Sequence, residues 1–174
     1  MTRLGVILAG GQSTRFGQDK ALVRHDGRLL FDHARDGLAP FVDALAVAGR
    51  DWPAMVRIDD APRPGLGPLG GLAGALRYAA AHGFDEVLTT GCDTLGLRAD
   101  HIAALQPGPA VLDALPIIGC WPARLAPVLH DWLDREDRHS VYGFAAFVGA
   151  RHVAVAQPPR NINRPEDLAA PAPY

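Results

Sequence analysis

Along the chain, short unbroken apolar runs alternate with apolar positions spaced at helical intervals. "RLGVILA", residues 3–9, is a continuous apolar run of the kind that forms a strand covered on both faces, and it ends at Gly10. "RLLFDHARDGL", residues 28–38, spaces Leu30, Ala34 and Leu38 as a helix does, and "VDALAVAG" and "MVRID" then read as two short strands. "LGGLAGALRYAAAHG" sets Leu69, Leu72, Ala73, Leu76 and Ala80 on one helical stripe, with Gly83 as its stop. "DEVLTTGCD" is another buried strand, "RADHIAALQ" a short helix, and "AVLDALPIIGCW" one bent strand or two adjoining ones. In "ARLAPVLHDWL", Leu125, Val128, Leu129, Trp132 and Leu133 share a helix face, and Pro127 confines the regular part to the residues from there on. "SVYGFAAFVGA" suggests one more helix and "RHVAVA" a last strand.

Alternating strands and helices predict an α/β, Rossmann-like, three-layer fold, with a mainly parallel central sheet and helices on both faces. Ligands of such sheets collect beyond the C-terminal strand ends. A length of 174 residues suits one domain, residues 1–174, burying about two-thirds of its unfolded surface. The formal charge of −2, from 17 basic and 19 acidic residues, gives no bulk reason to expect a nucleic-acid partner, so any positive site must be local. Cys92 and Cys120 lack metal-ligand spacing, which fits a reducing cytoplasm. "MTRLGVILAGG" holds only about six apolar residues before its glycines, too few for a signal-peptide core or a membrane span. Both cytoplasmic localisation and the absence of a membrane partner are therefore expected.

Three loops follow strands and can carry chemistry. In "LAGGQSTRFGQDKAL", residues 8–22, the glycines fall at Gly10, Gly11 and Gly17, which matches neither a Walker A motif nor GxGxxG. Adjacent glycines after a strand can still turn backbone N–H groups inward as an anion nest, with Arg15 and Lys20 supplying a fork and a point charge to a polyphosphate. A flexible turn with two solvated cations is the plainer alternative. "PRPGLGPLGGL", residues 62–72, places Gly67, Pro68, Leu69, Gly70 and Gly71 at a helix start, where glycines permit close backbone approach by a base, sugar or phosphate. A rigid turn explains it equally, and Asp59 and Asp60 upstream are either hydrogen-bond acceptors or solvated. In "TTGCDTLGL", Asp93 at a strand end points toward the first loop. Capping is the commoner role for such an Asp, but facing Arg15 and Lys20 it can hold Mg²⁺ beside phosphates. "NINRPEDL" offers Asn161, Asn163, Glu166 and Asp167 around a proline suited to a helix start, where capping explains much of the motif. His33, His82 and His101 read as surface or boundary residues and Trp121 and Trp132 as core. Ser13 and Ser140 have no recognisable triad partners, and "DREDRH" is a solvated turn.

With these motifs in order, the chain closely resembles the molybdenum cofactor guanylyltransferases, small nucleotidyltransferases of Rossmann-like fold. "LAGGQSTRFGQDKAL" is similar to the family's LAGGxSxRMGxDKxL, "GPLGGL" to its substrate-side glycine loop, "CDT" to its metal aspartate and "NINRPEDL" to NxNTPEDL. The resemblance implies that Leu8, Ala9, Gly10 and Gly11 contact GTP, and that Arg15 and Lys20 bind its phosphates. It further implies that Asp60 helps hold the nucleoside, that Asp93 binds Mg²⁺, and that Asn163 assists the metal or the pterin. Gly10 and the Asp19-Lys20 pair look like the guanylyl version, favouring GTP over CTP, with Asp19 orienting its loop neighbours. The chain departs from the family pattern at Thr94-Leu95-Gly96, at Leu115-Pro116, at Ala48-Gly49-Arg50 and at Arg164, which replaces a capping Thr.

The activity so implied is transfer of GMP from Mg-GTP to the phosphate of molybdopterin, with or without molybdenum, releasing pyrophosphate. Arg15, Lys20 and Asp93 would be its catalytic residues. GTP and molybdopterin are the expected small-molecule partners, with transient contact to proteins that deliver molybdopterin or receive the cofactor. The expected state is a monomer or weak homo-oligomer. Transfer to another phosphorylated acceptor, or GTP binding without catalysis, are the alternatives.

Overall fold

The computed structural model describes residues 1–10, 19–135 and 140–169. β1 (Arg3–Leu8) is the central strand, and its alternation builds three layers. Leu4, Val6 and Leu8 enter one hydrophobic cluster while Ile7 enters another on the opposite face. After a two-strand hairpin, β2 (Arg24–His25) and β3 (Arg28–Leu29), the chain forms α1 (Leu30–Leu38), β4 (Ala44–Ala48), β5 (Val56–Ile58) and α2 (Pro68–Ala81). β6 (Glu86–Gly91), β7 (Thr94–Leu95) and α3 (Ala99–Ala104) follow. Then come β8 (Ala110–Leu112), β9 (Leu115–Pro122), α4 (Ala126–Arg135), α5 (Val141–Phe147), β10 (Arg151–Val153) and β11 (Arg160–Asn161).

Seven strands make the main sheet in the order β10-β8-β9-β6-β1-β4-β5, all parallel except β9, which runs against both of its neighbours. The mainly parallel sheet expected from the sequence is thus present, with α2, α4 and α5 covering one face and α1 and α3 the other. β4 and β6 flank β1 on opposite sides, so the winding reverses there and the C-terminal ends of these strands open a crevice. β7 pairs with β11, which carries the distant segment 160–167 back to the end of β6. Among the described residues no helix is long and apolar enough to cross a membrane, and both cysteines are free thiols.

Several local expectations need correction. Residues 28–29 pair with β2, and the helix begins only at Leu30. Ala79 rather than Ala80 is buried on α2, on the face that Leu72 and Leu76 share with it at helical spacing. Val128 is 37% exposed, so the buried face of α4 is Leu129, Trp132 and Leu133. "RHVAVA" contains β10, but β11 follows it. His101 is 0% exposed, neither surface nor boundary. Its Nδ1 accepts from Arg98 N at 3.2 Å and its Nε2 donates to the Gln157 carbonyl at 2.9 Å, which satisfies a neutral ring inside the fold. Residues 136–139 of the "DREDRH" run lie outside the described residues.

Candidate active site

One cleft, enclosing about 170 Å³, lies over the C-terminal ends of β1, β4 and β6. Leu8, Ala9, Gly10, Lys20, Asp60, Gly67, Pro68, Gly71, Asp93 and Asn161 all line it, so residues from four separate motifs meet there. Gly11 and Arg15 lie outside the described residues.

Its polar centre is built around Asp93. The Lys20 ammonium donates to Asp93 Oδ2 and to Asn163 Oδ1, each at 2.9 Å. Lys20 stands on a short 3-10 turn, Lys20–Leu22, whose second amide, Ala21 N, donates to the capping Asp19 side chain at 3.1 Å. Asp93 lies two residues past the end of β6, and its carbonyl accepts from Ile162 N at 3.0 Å, fixing the two chain segments together. The Asn161 amide, turned so that its nitrogen faces the carboxylate, donates to Asp93 at 2.5 and 3.2 Å; the opposite orientation would set oxygen against oxygen. With Lys20 and Asp93 only 16% and 13% exposed, this ion pair sits in a partly desolvated place where charge acts strongly.

The opposite wall is the start of α2. Gly67, with φ of +60°, is the N-cap and Pro68 the first helical residue, a position where the missing N–H costs nothing. The glycine pair serves packing first. A Cβ on Gly70 would stand 3.0 Å from Asp60 Oδ2, and one on Gly71 would stand 3.0 Å from Leu8 Cδ2 and 3.1 Å from Ala48 Cβ. Small residues here let α2 press on β1 and β4 while the Asp60 carboxylate stays at the cleft. Leu69 is 1% exposed and belongs to the core, anchoring the helix. Burial, and next the charge of Asp59, hold the Asp60 carboxyl above its ordinary range.

Two features have no sequence forecast. Arg50, just after β4, forms a bidentate pair with Asp19, Nη1 to Oδ1 at 2.8 Å and Nη2 to Oδ2 at 2.6 Å. Asp167 Oδ2 accepts from Asn163 N and Arg164 N, both at 2.8 Å, so the terminal turn is capped by Asp167 although Arg164 stands where a capping Thr was expected. Only "NINRPEDL" carried a trace of the second. Nothing local marked the first, since its partners are far apart in sequence.

A cleft lined by a cation, a carboxylate and turned backbone, at the winding reversal of a three-layer sheet, is the ligand site of an α/β protein, and the family match makes that protein a nucleotidyltransferase. Residues 5–154 match the MobA-like NTP transferase domain, and the chain belongs to that family. It is 36% identical to a molybdenum cofactor guanylyltransferase of Acidiphilium cryptum, over 95% of this chain and 91% of that protein. It is also 36% identical to one of Cereibacter sphaeroides, over 97% and 95%. Among solved structures, molybdopterin-guanine dinucleotide biosynthesis protein A of Archaeoglobus fulgidus superposes with a TM-score of 0.69 at 19% identity, covering 97% of this chain and 95% of that one, which supports the fold.

Proposed function

We propose that this nucleotidyltransferase moves GMP from GTP to the terminal phosphate of molybdopterin, giving a guanine dinucleotide cofactor and pyrophosphate. The observation that carries this reading is the Lys20, Asp93 and Asn163 cluster of the cleft, set in a family whose relatives bear that activity in their names. An acceptor phosphate oxygen bonds to the α-phosphorus of GTP, and the bond from that phosphorus to the bridging oxygen breaks, releasing pyrophosphate. The acceptor is already anionic, so no side-chain nucleophile is needed; the protein must align two repelling groups and neutralise charge.

Lys20 supplies a positive charge whose position is fixed before substrate arrives, by two oxygens at 2.9 Å. Leu8, Ala9, Gly10 and Gly11 are assigned to the nucleotide, Arg15 to its phosphates, and Asp60 to hydrogen-bond donors of the nucleoside. Gly67, Pro68, Gly70, Gly71 and Asn163 are assigned to the acceptor. The donor set suits a hard divalent cation. Asp93 offers a carboxylate and Asn163 a side-chain oxygen, while the Asn161 nitrogen donates to Asp93, and Mg²⁺ is ordinarily held by one or two carboxylates together with substrate phosphates and water. Burial pushes the adjacent Cys92 thiol up to about 12. When bound, Mg²⁺ on Asp93 would offset phosphate charge as a Lewis acid.

One observation favours a second acceptor: only Asp113 and Ala114 separate paired Leu112 from Leu115, so the β8–β9 turn is tight at the Leu115-Pro116 departure from the family pattern. Pyrophosphate release from GTP with Mg²⁺ and molybdopterin, with mass spectrometry of the product, distinguishes the two. Lys20→Ala and Asp93→Ala are each expected to lose about 10²-fold or more in rate while remaining folded. Near-normal release by either variant would remove the proposed site.

A further inference from the structure

The segment after β4, Gly49-Arg50, touches both described ends of the stretch that carries the first glycine motif. At one end, a Cβ on Gly49 would fall on the Gly10 backbone, and Gly49 has φ of +86°. Only glycine satisfies both conditions, the close approach and the left-handed backbone. At the other end, the Arg50 fork grips Asp19 at 2.8 and 2.6 Å. The fork is itself fixed. Its guanidinium carbon lies 5.5 Å from the centre of the Trp52 ring, and Trp52 stacks on buried Phe31 with ring centres 3.7 Å apart. Among the described residues Arg50 Nε is buried with no hydrogen-bond partner, a cost that a residue chosen for stability alone would avoid.

We propose that Gly49 and Arg50 form a brace that holds Gly10 and Asp19 in place, with Arg50 acting through Asp19 as a positioning residue for Lys20. This rests on the reading of the cleft as a GTP site. The link is direct: Asp19 caps the turn on which Lys20 stands, through Ala21 N at 3.1 Å. Bidentate pairing keeps the Asp19 carboxyl below its usual range, so the pair stays charged through neutral pH. A lysine at position 50 would keep the charge but lose the planar fork, and with it the orientation of Asp19.

Two readouts on Arg50→Gln, Arg50→Lys, Asp19→Asn and the Arg50→Gln/Asp19→Asn double variant test the brace. In the ligand-free protein, hydrogen exchange at the Ala21 amide is expected to speed up about 10-fold in each single variant. By calorimetry with Mg-GTP, each single variant is expected to bind about 10-fold more weakly, Arg50→Lys to recover little, and the double variant to be no weaker than the singles. Wild-type exchange at Ala21 in Arg50→Gln would overturn the brace. So would faster exchange with wild-type GTP affinity, or additive losses in the double variant. If the wild-type protein itself binds no GTP, the functional reading falls and with it the role assigned to Lys20, while the exchange data still decide whether the brace exists.

Discussion

Single side chains at this cleft trade stability for chemistry, and Asp60 is the clearest case. Its carboxyl is raised first by burial and then by the charge of Asp59. A carboxyl whose folded value lies above its unfolded value of about 3.9 favours the fold when protonated. That contribution is fully present below about pH 3.9 and is lost as pH rises through the raised folded value. At neutral pH the wild-type protein therefore carries a penalty that Asp60→Asn would not. The variant is expected to show a higher urea midpoint than wild type at pH 7 and no advantage at pH 3.5, while binding GTP more weakly. A wild type more stable at pH 7 would show that the carboxylate is fully compensated by partners. His101 teaches the complementary point: it is buried at no such cost because both ring nitrogens are satisfied. Its partner Gln157 lies 56 residues away, which is why its sequence neighbours suggested only a helix surface.

The elements that place these residues depend on close approaches. On α2, a Cβ at Gly74 would fall on the Asp59 carbonyl and stand 3.0 Å from Ile58 Cγ2. Two effects then oppose each other in Gly74→Ala. Helix propensity favours Ala by about 1 kcal/mol, while overpacking against a backbone atom costs about 1–3 kcal/mol. Packing is expected to win because a carbonyl at a strand end cannot rotate away, so the urea midpoint falls. The same displacement shifts Asp59 and Asp60, and KM for GTP is expected to rise more than kcat falls. An unchanged or higher midpoint would mean that α2 can slide. Much of this layer was legible in the sequence: continuous apolar runs marked β1 and β6, and helical stripes marked α2 and α4. The missed pieces were the shortest. β2, β3, β7 and β11 span two residues each, too short for any period, and only the Asp26-Gly27 turn, with φ of 50° and 78°, left a hairpin signal. Lys20, Asp60 and Asp93 were readable as motifs, whereas the Arg50 to Asp19 pair, 31 residues apart, emerges only when β4 docks beside β1.

At the scale of the whole molecule, ligand binding couples every layer. β1 contributes to both hydrophobic clusters, and the cleft draws on the ends of β1, β4 and β6, the start of α2, and β11. We propose that residues 1–174 act as one nucleotidyltransferase domain, so heating should produce one cooperative transition that nucleotide shifts as a unit. Polyphosphate entering this cleft meets the Asp93 carboxylate as well as Lys20, and the chain as a whole is charged −2. Without a divalent cation the carboxylate repels the phosphates, so GTP alone is expected to stabilise little. With Mg²⁺ and GTP at about 100 times the dissociation constant, the folded state gains about 2.7 kcal/mol. For a chain of this size, that corresponds to a rise in Tm of about 5–10 °C. Thermal melts with GTP or CTP, each with Mg²⁺ or with chelator, separate the contributions. The expected order is a large shift for Mg-GTP, a smaller one for Mg-CTP, and almost none once the cation is chelated. Equal shifts for GTP and CTP would leave a nucleotide site without guanine selectivity. A GTP shift that survives chelation would mean that the cations of the cleft suffice to hold the phosphates, and would take from Asp93 its role in binding.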